Sequence, residues 1–230
     1  MLNDVDWYQE NNIDLRLGKR ITAIDRRARM VLTADGEAQP YDRLLLATGS
    51  NPFILPVPGC NLKGVLTYRD IGDTNAMIEA AKHYRHAVVI GGGLLGLEAA
   101  NGLKARGMEV TVVHLAEWLM ERQLDKTAAT MLKTNLEARG LRFMHATQTT
   151  ALLGNSEGHV RAVRFSDGSE LAADLVCMAV GIRPNDELAK SAGIHCNRGV
   201  VVNDTLQTYD PRIYAVGECA SHRGVDYGLV

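Results

Sequence analysis

The 230 residues are 46% apolar, 23% charged and 5% aromatic, and 25 Lys+Arg against 27 Asp+Glu leave a formal charge of −2. With no cationic excess to neutralise phosphates, a general nucleic-acid binder is disfavoured. No apolar run approaches the ~20 residues that span a bilayer, and the N-terminus lacks a signal peptide's basic start and apolar stretch. The length accommodates one large domain or two small ones, with a core that needs no disulfide or metal staples. Cys60, Cys177, Cys196 and Cys219 form no CxxC pair. A cytoplasmic chain of reduced thiols is therefore expected, with Cys177 a core residue inside an apolar strand. The seven histidines show no HxxxH or HExxH spacing, so no metal site is expected.

In chain order, residues 13–52 hold short alternating runs, an Asp35-Gly36 turn, the apolar Leu44-Leu45-Leu46, and then Thr48-Gly49-Ser50-Asn51-Pro52. The strongest local signal follows at 87–114. Ala87-Val88-Val89-Ile90 reads as a buried parallel strand. Gly91 through Gly96 follow at once. Leu97 to Arg106 then carries helical spacing, Gly107 stands at the C-cap position, and Val110–Val113 is the next strand. The result is a βαβ unit with G-x-G-x-x-G at Gly91, Gly93 and Gly96. A second helix is predicted over about 124–139, closed by Gly140. Strands follow at about 148–153 and 160–166, then an Asp167-Gly168 hairpin turn and an apolar strand at Leu175–Val180. Near the end, an Asp210-Pro211 turn feeds a short apolar strand that stops at Gly217-Glu218.

The chain repeats itself. Gly36 to Asp42 and Gly168 to Asp174 are both six residues apart. Gly36 to Gly49 and Gly168 to Gly181 are both thirteen, and Gly49 and Gly181 are each followed three positions later by proline, Pro52 and Pro184. Two copies of one domain type are expected, the second lying within the first in sequence. In the second copy Gly96 precedes Gly168 by 72 residues, and the same count back from Gly36 runs past Met1. The first copy is therefore expected to lack an opening βαβ, as in a chain truncated at its N-terminus.

The glycine loop has a defined physical task if it binds a dinucleotide. Gly91 permits the tight strand-to-helix turn, Gly93 lets backbone approach the pyrophosphate, and Gly96 lets helix and strand pack closely. A merely glycine-rich turn is the plainer alternative. His114, at the end of the second strand, stands where an acid usually meets the ribose 2′-hydroxyl. Neutral histidine can bond a hydroxyl and protonated histidine can tolerate a 2′-phosphate, so NADH and NADPH both stay open, as does a plain strand-end surface role. Glu98, read on the first turn of the helix, either offsets the helix dipole or touches the cofactor. Glu218, at a strand end beside Gly217, can accept bonds from sugar-like hydroxyls or simply close a surface turn.

These motifs resemble the two-dinucleotide flavoprotein reductases, of the pyridine nucleotide-disulfide oxidoreductase kind. The resemblance rests on Ala47-Thr48-Gly49-Ser50 with Pro52, Gly91–Gly96 followed by Glu98, Val180-Gly181-Ile182-Arg183-Pro184-Asn185, and Ile213-Tyr214-Ala215-Val216-Gly217-Glu218. Gly217-Glu218-Cys219-Ala220 and Leu119-Met120-Glu121-Arg122-Gln123-Leu124-Asp125 look like one branch, the large subunits of assimilatory NAD(P)H nitrite reductases. Most members have Asp in place of Glu218.

The resemblance implies an α/β fold of two Rossmann-like three-layer domains, the NAD(P) domain inserted in an FAD domain lacking its opening βαβ. Residues 1–72 would be partial FAD domain, 73–196 the NAD(P)H domain and 197–230 the return to the FAD domain. It implies FAD near Thr48, Gly49 and Ser50, and its ribityl chain at Gly217 and Glu218. NADH, or NADPH, would lie on Gly91, Gly93 and Gly96, with Glu98 near the nicotinamide amide, His114 by the ribose and Gly181 bordering the nucleotide. The implied activity passes hydride from NADH to FAD, and electrons onward to iron–sulfur and sirohaem centres that reduce nitrite to ammonia. Those centres belong to parts of the family that this sequence does not contain. Implied partners are the remaining large-subunit domains and a small nitrite reductase subunit, with no nucleic acid or membrane. A rubredoxin or ferredoxin reductase and an inactive nucleotide-binding fragment are the alternatives. No acid–base residue is expected, because the cofactors carry the chemistry.

Overall fold

Period-two burial decides the architecture. In the computed structural model, which describes residues 3–226, five short strands form one parallel sheet in the order Val65–Thr67, Leu175–Met178, His86–Ile90, Glu109–Val113, Arg142–Met144. Ala87, Val89, Val110, Val112, Leu175 and Cys177 point to one face, where they join Met77, Leu97, Ala100, Leu103 and Leu136 from the helices Ile71–His83, Leu94–Ala105 and Lys126–Ala138. Val88, Ile90, Val113, Val176 and Met178 point to the other, against Leu152, Val160, Val163 and Phe165 of an antiparallel meander, Thr149–Gly154, Val160–Phe165 and Glu170–Ala172. A sheet covered on both faces needs nearly continuous apolar strands, and these are such runs. The layers are helices, parallel sheet and meander.

The helices start where the sequence offers caps. Asp70 and Asp73 form a reciprocal capping box on Ile71–His83, and Asp125 accepts from Ala128 N–H at the start of Lys126–Ala138. Helix Leu94–Ala105 begins three residues earlier than the expected Leu97. Gly93 is its N-cap, and no side chain caps it.

The chain divides into two compact units, residues 51–183 and residues 1–50 with 184–230. The first-listed range is the sheet just described. The expected boundaries at 72/73 and 196/197 thus differ from those observed at 50/51 and 183/184. Leu55, Val57, Cys60, Leu62 and Val65 pack into the meander-side core, and Val65–Thr67 joins the parallel sheet, so residues 51–72 fold with the inserted unit. Ala189 and Ile194 are buried with the other core, which takes 184–196.

That other unit has its own core of Ile24, Leu46, Ala189, Ile194, Val200, Val202, Ile213, Ala215 and Cys219. Leu44–Leu46 pairs in parallel with Ile213–Ala215, and Val200–Val202 pairs in parallel with Ala220–His222. A second antiparallel meander, Ile21–Asp25, Met30–Thr33 and Ala38–Pro40, precedes Leu44–Leu46. The sequence repeat is therefore a structural one. Gly36 N–H donates to Thr33 O at 3.2 Å, and Gly168 N–H to Phe165 O at 3.1 Å. Thr33 N–H bonds Glu37 O as Phe165 N–H bonds Ser169 O. Gly36 and Gly168 both adopt positive φ, 88° and 84°, which the turn requires and glycine tolerates. Among the described residues, no helix is long and apolar enough to cross a membrane.

Candidate functional site

In the unit of residues 51–183, the sequence-predicted glycines sit at the C-terminal edge of strand His86–Ile90. Gly91 N–H donates to Val113 O at 2.8 Å and its φ is 118°, a backbone region open to glycine. A Cβ there would lie 2.2 Å from Ala179 O. A Cβ on Gly96 would lie 2.0 Å from Gly91 O, so helix and strand meet backbone to backbone at that point. Gly93 differs: nothing lies within 4 Å of its missing Cβ. Of the three motif glycines, two are demanded by packing and one, Gly93, leaves open space at the start of a twelve-residue helix. The first N–H groups of a helix have no intrahelical partners, and the dipole there favours an anion.

Glu98 is the fifth residue of that helix, not part of its first turn, and the first turn carries no acid. The dipole-offset reading of Glu98 therefore falls away. Instead Glu98 stands close enough to Tyr68, which follows strand Val65–Thr67, to act on its phenol. Burial, then the negative charge and acceptor oxygens of Glu98, push the Tyr68 phenol above its ordinary range. Tyr68 carries no motif, and only the sheet order reveals its proximity to Glu98. Gly181 has φ 118° and accepts from Phe53 N–H at 2.9 Å. Arg183 lies 4.4 Å over the Phe53 ring.

His114 is 8% exposed, and its ring turns back toward the glycine loop, contrary to a plain surface role. Gly92 N–H donates to Nδ1 at 3.1 Å, and Nε2 lies 3.0 Å from Glu121 Oε2. Beside it, His145 stacks on Phe143, and both of its buried ring nitrogens lack a hydrogen-bond partner. Burial, then the charges of Lys133 and His114, hold His145 below the ordinary imidazole range.

In the other unit, Thr48, Gly49, Ser50, Gly217 and Glu218 converge from the ends of two paired strands. Thr48 Oγ1 donates to Asn185 O at 2.6 Å, and Asn185 N–H donates to Gly49 O at 2.9 Å. Ser50 Oγ donates to Glu218 Oε2 at 2.8 Å. Gly49 and Gly217 both have positive φ, and nothing lies within 4 Å of the Gly217 Cβ position. Asn185 is the residue that sequence reasoning did not place in this cluster, although it closes the Gly181-to-Asn185 motif. Cys177 is fully buried, and burial, then the charge of Asp73, pushes its thiol up to about 12, which leaves it inert at neutral pH.

A parallel sheet with a glycine loop at its carboxyl edge, repeated meanders and an inserted second unit define a dinucleotide-binding oxidoreductase fold. The sequence model of the pyridine nucleotide-disulphide oxidoreductase family matches residues 4–227, and the chain belongs to that family. It is 55% identical to nitrite reductase [NAD(P)H] of Bacillus subtilis over 229 residues, 100% of this chain and 28% of that protein. It is 49% identical to the assimilatory nitrate reductase electron transfer subunit of the same organism, covering 100% of this chain and 29% of that protein. Among solved structures, a ferredoxin reductase for the CYP199A2 system from Rhodopseudomonas palustris matches with TM-score 0.92 and 35% identity, over 99% of this chain and 56% of that one. The chain thus spans under a third of the length of these two curated relatives.

Proposed function

We propose that the chain is the NADH- and FAD-binding electron-entry portion of an assimilatory nitrite reductase. The observation that carries this reading is the open Gly93 position at a helix N-terminus, flanked by Gly91 and Gly96 where a Cβ would strike backbone. That cradle fits a pyrophosphate, whose charge the helix end stabilises. Identity of 55% to a nitrite reductase, against 35% to a ferredoxin reductase, favours the nitrite branch. The ferredoxin-reductase reading is supported by the TM-score of 0.92 and stays as the second reading.

In this reading Gly91, Gly93 and Gly96 hold the NADH pyrophosphate by backbone, and Glu98, beside Tyr68, meets the nicotinamide amide. Gly181 borders the nucleotide. Thr48, Gly49 and Ser50 run beside FAD, and Glu218, oriented by Ser50, accepts from ribityl hydroxyls. The donor set fits: an ionised carboxylate is an acceptor-only group suited to sugar-like hydroxyls, and Glu218 stands next to an open glycine. When bound, FAD would take hydride from nicotinamide and release electrons singly toward iron–sulfur and sirohaem centres in other domains or a small subunit. The residues of this chain bind and orient; none need act as acid or base.

The test is spectroscopic. The purified chain, reconstituted with FAD, is expected to show a flavin spectrum that NADH bleaches under anaerobic conditions. A protein that binds NADH but never retains flavin would reduce the assignment to a nucleotide-binding module. A protein that binds neither would overturn it.

A further inference from the structure

The position that should read the adenosine ribose is occupied by a side chain that faces the wrong way. His114 directly follows strand Glu109–Val113, yet its ring is buried against Gly92. A backbone N–H can only donate, so Nδ1 is the acceptor and the ring proton resides on Nε2, which donates to Glu121 Oε2. Both ring nitrogens are committed, and His114 has no capacity left for a hydroxyl. The acidic group at this corner is Glu121, seven residues later, in the loop that leads to helix Lys126–Ala138.

That loop is pinned to the same glycine. Met120 N–H donates to Gly92 O at 3.0 Å, Leu119 is 1% exposed, and the N–H groups of Gln123 and Leu124 both close on Met120 O at 2.8 Å. Gly92 therefore anchors Glu121 twice, through His114 by its N–H and through Met120 by its C=O. A Cβ at Gly92 would sit 2.8 Å from both the His114 ring and the Leu119 side chain, so the corner closes tightly. The Glu121 side chain is 37% exposed. One oxygen is held by His114, and among the described residues Oε1 has no hydrogen-bond partner.

We infer that Glu121, presented by His114 and Met120, is the carboxylate that reads the adenosine ribose at this site and selects NADH over NADPH. It rests on the dinucleotide reading above. An ionised carboxylate accepts but cannot donate, so it suits the 2′- and 3′-hydroxyls of NADH. A 2′-phosphate brings like charge and loses the hydroxyl proton, which disfavours NADPH.

The test is equilibrium titration of the 230-residue chain and of Glu121→Gln and Glu121→Arg with NADH and with NADPH, with thermal melts confirming that each variant folds. The parent is expected to prefer NADH. Glu121→Gln should narrow the NADPH:NADH ratio of Kd by about tenfold, the value of one charged hydrogen bond, and Glu121→Arg should invert it. A ratio unmoved in both folded variants, or a parent that prefers NADPH, overturns the assignment and leaves the dinucleotide reading intact. A parent that binds neither nucleotide overturns the dinucleotide reading and this inference with it.

Discussion

Ser50 Oγ donates to Glu218 Oε2 at 2.8 Å and so joins residues 168 positions apart in the chain. Ser50 is 9% exposed, so its hydroxyl cannot be replaced readily by water. Ser50→Ala is expected to cost about 1–2 kcal/mol, because a carboxylate loses a shielded donor. Urea denaturation at neutral pH measures that cost, and the same variant should retain FAD more weakly after gel filtration. Unchanged stability and unchanged flavin retention would contradict the orienting role of this pair.

The glycine loop predicts opposite outcomes for neighbouring substitutions. Gly96→Ala places a Cβ 2.0 Å from Gly91 O and must displace backbone, at about 1–3 kcal/mol. Gly93→Ala meets nothing within 4 Å and should cost under about 1 kcal/mol, the difference between glycine and alanine at an N-cap. Its new methyl group would nevertheless occupy the space assigned to the pyrophosphate. Thermal melts and NADH titrations on both variants separate the effects: one unfolds more easily, the other binds less tightly.

His145 should make stability pH-dependent. Its folded pKa is lowered, chiefly by burial, so below the ordinary value of 6.5 the unfolded chain takes up a proton that the folded chain resists. Stability is complete above that value and declines as pH falls through it. His145→Phe, which can keep the stacking on Phe143, should remove this decline and gain about 1 kcal/mol by eliminating unpartnered buried nitrogens. Urea midpoints between pH 7.5 and about 5 would show the parent sloping and the variant flatter.

Asp210 acts at lower pH. Burial works to raise its pKa, but the Arg26 hydrogen bond at 2.9 Å, the Arg212 N–H and both guanidinium charges outweigh it and hold the carboxyl below its ordinary 3.8. Its contribution is therefore complete above that value and is lost as pH falls through the lower folded one. Asp210→Asn is expected to lose about 1 kcal/mol at pH 7 and to respond less to acid than the parent. Denaturation midpoints from pH 7 to about 3 check both halves.

Much of the fold was legible because it is local. The run Ala87–Ile90, the glycine spacing and Gly107 all obey short-range rules, and the repeat shows itself as equal spacings that the two meanders then share. The unit boundaries were not legible. Leu55, Val57, Cys60 and Leu62 lack helical or strand periodicity, and only their burial against the meander-side core assigns them to the inserted unit. Helix Leu94–Ala105 begins earlier than expected because its cap is a glycine, which leaves no side-chain signature.

By itself the sequence determined the glycine loop, the internal duplication and the residue types at both candidate corners, since each follows from backbone sterics or period. Only the tertiary structure decided what those side chains do. His114 and Glu121 are separated by an irregular loop, and their pairing depends on which way an imidazole turns once Gly92 has claimed Nδ1. Glu98 meets Tyr68, and Glu218 meets Ser50, across intervals that no local spacing rule spans. Hydrogen-bond direction and long-range contact arise from packing, and packing is set when the sheets close.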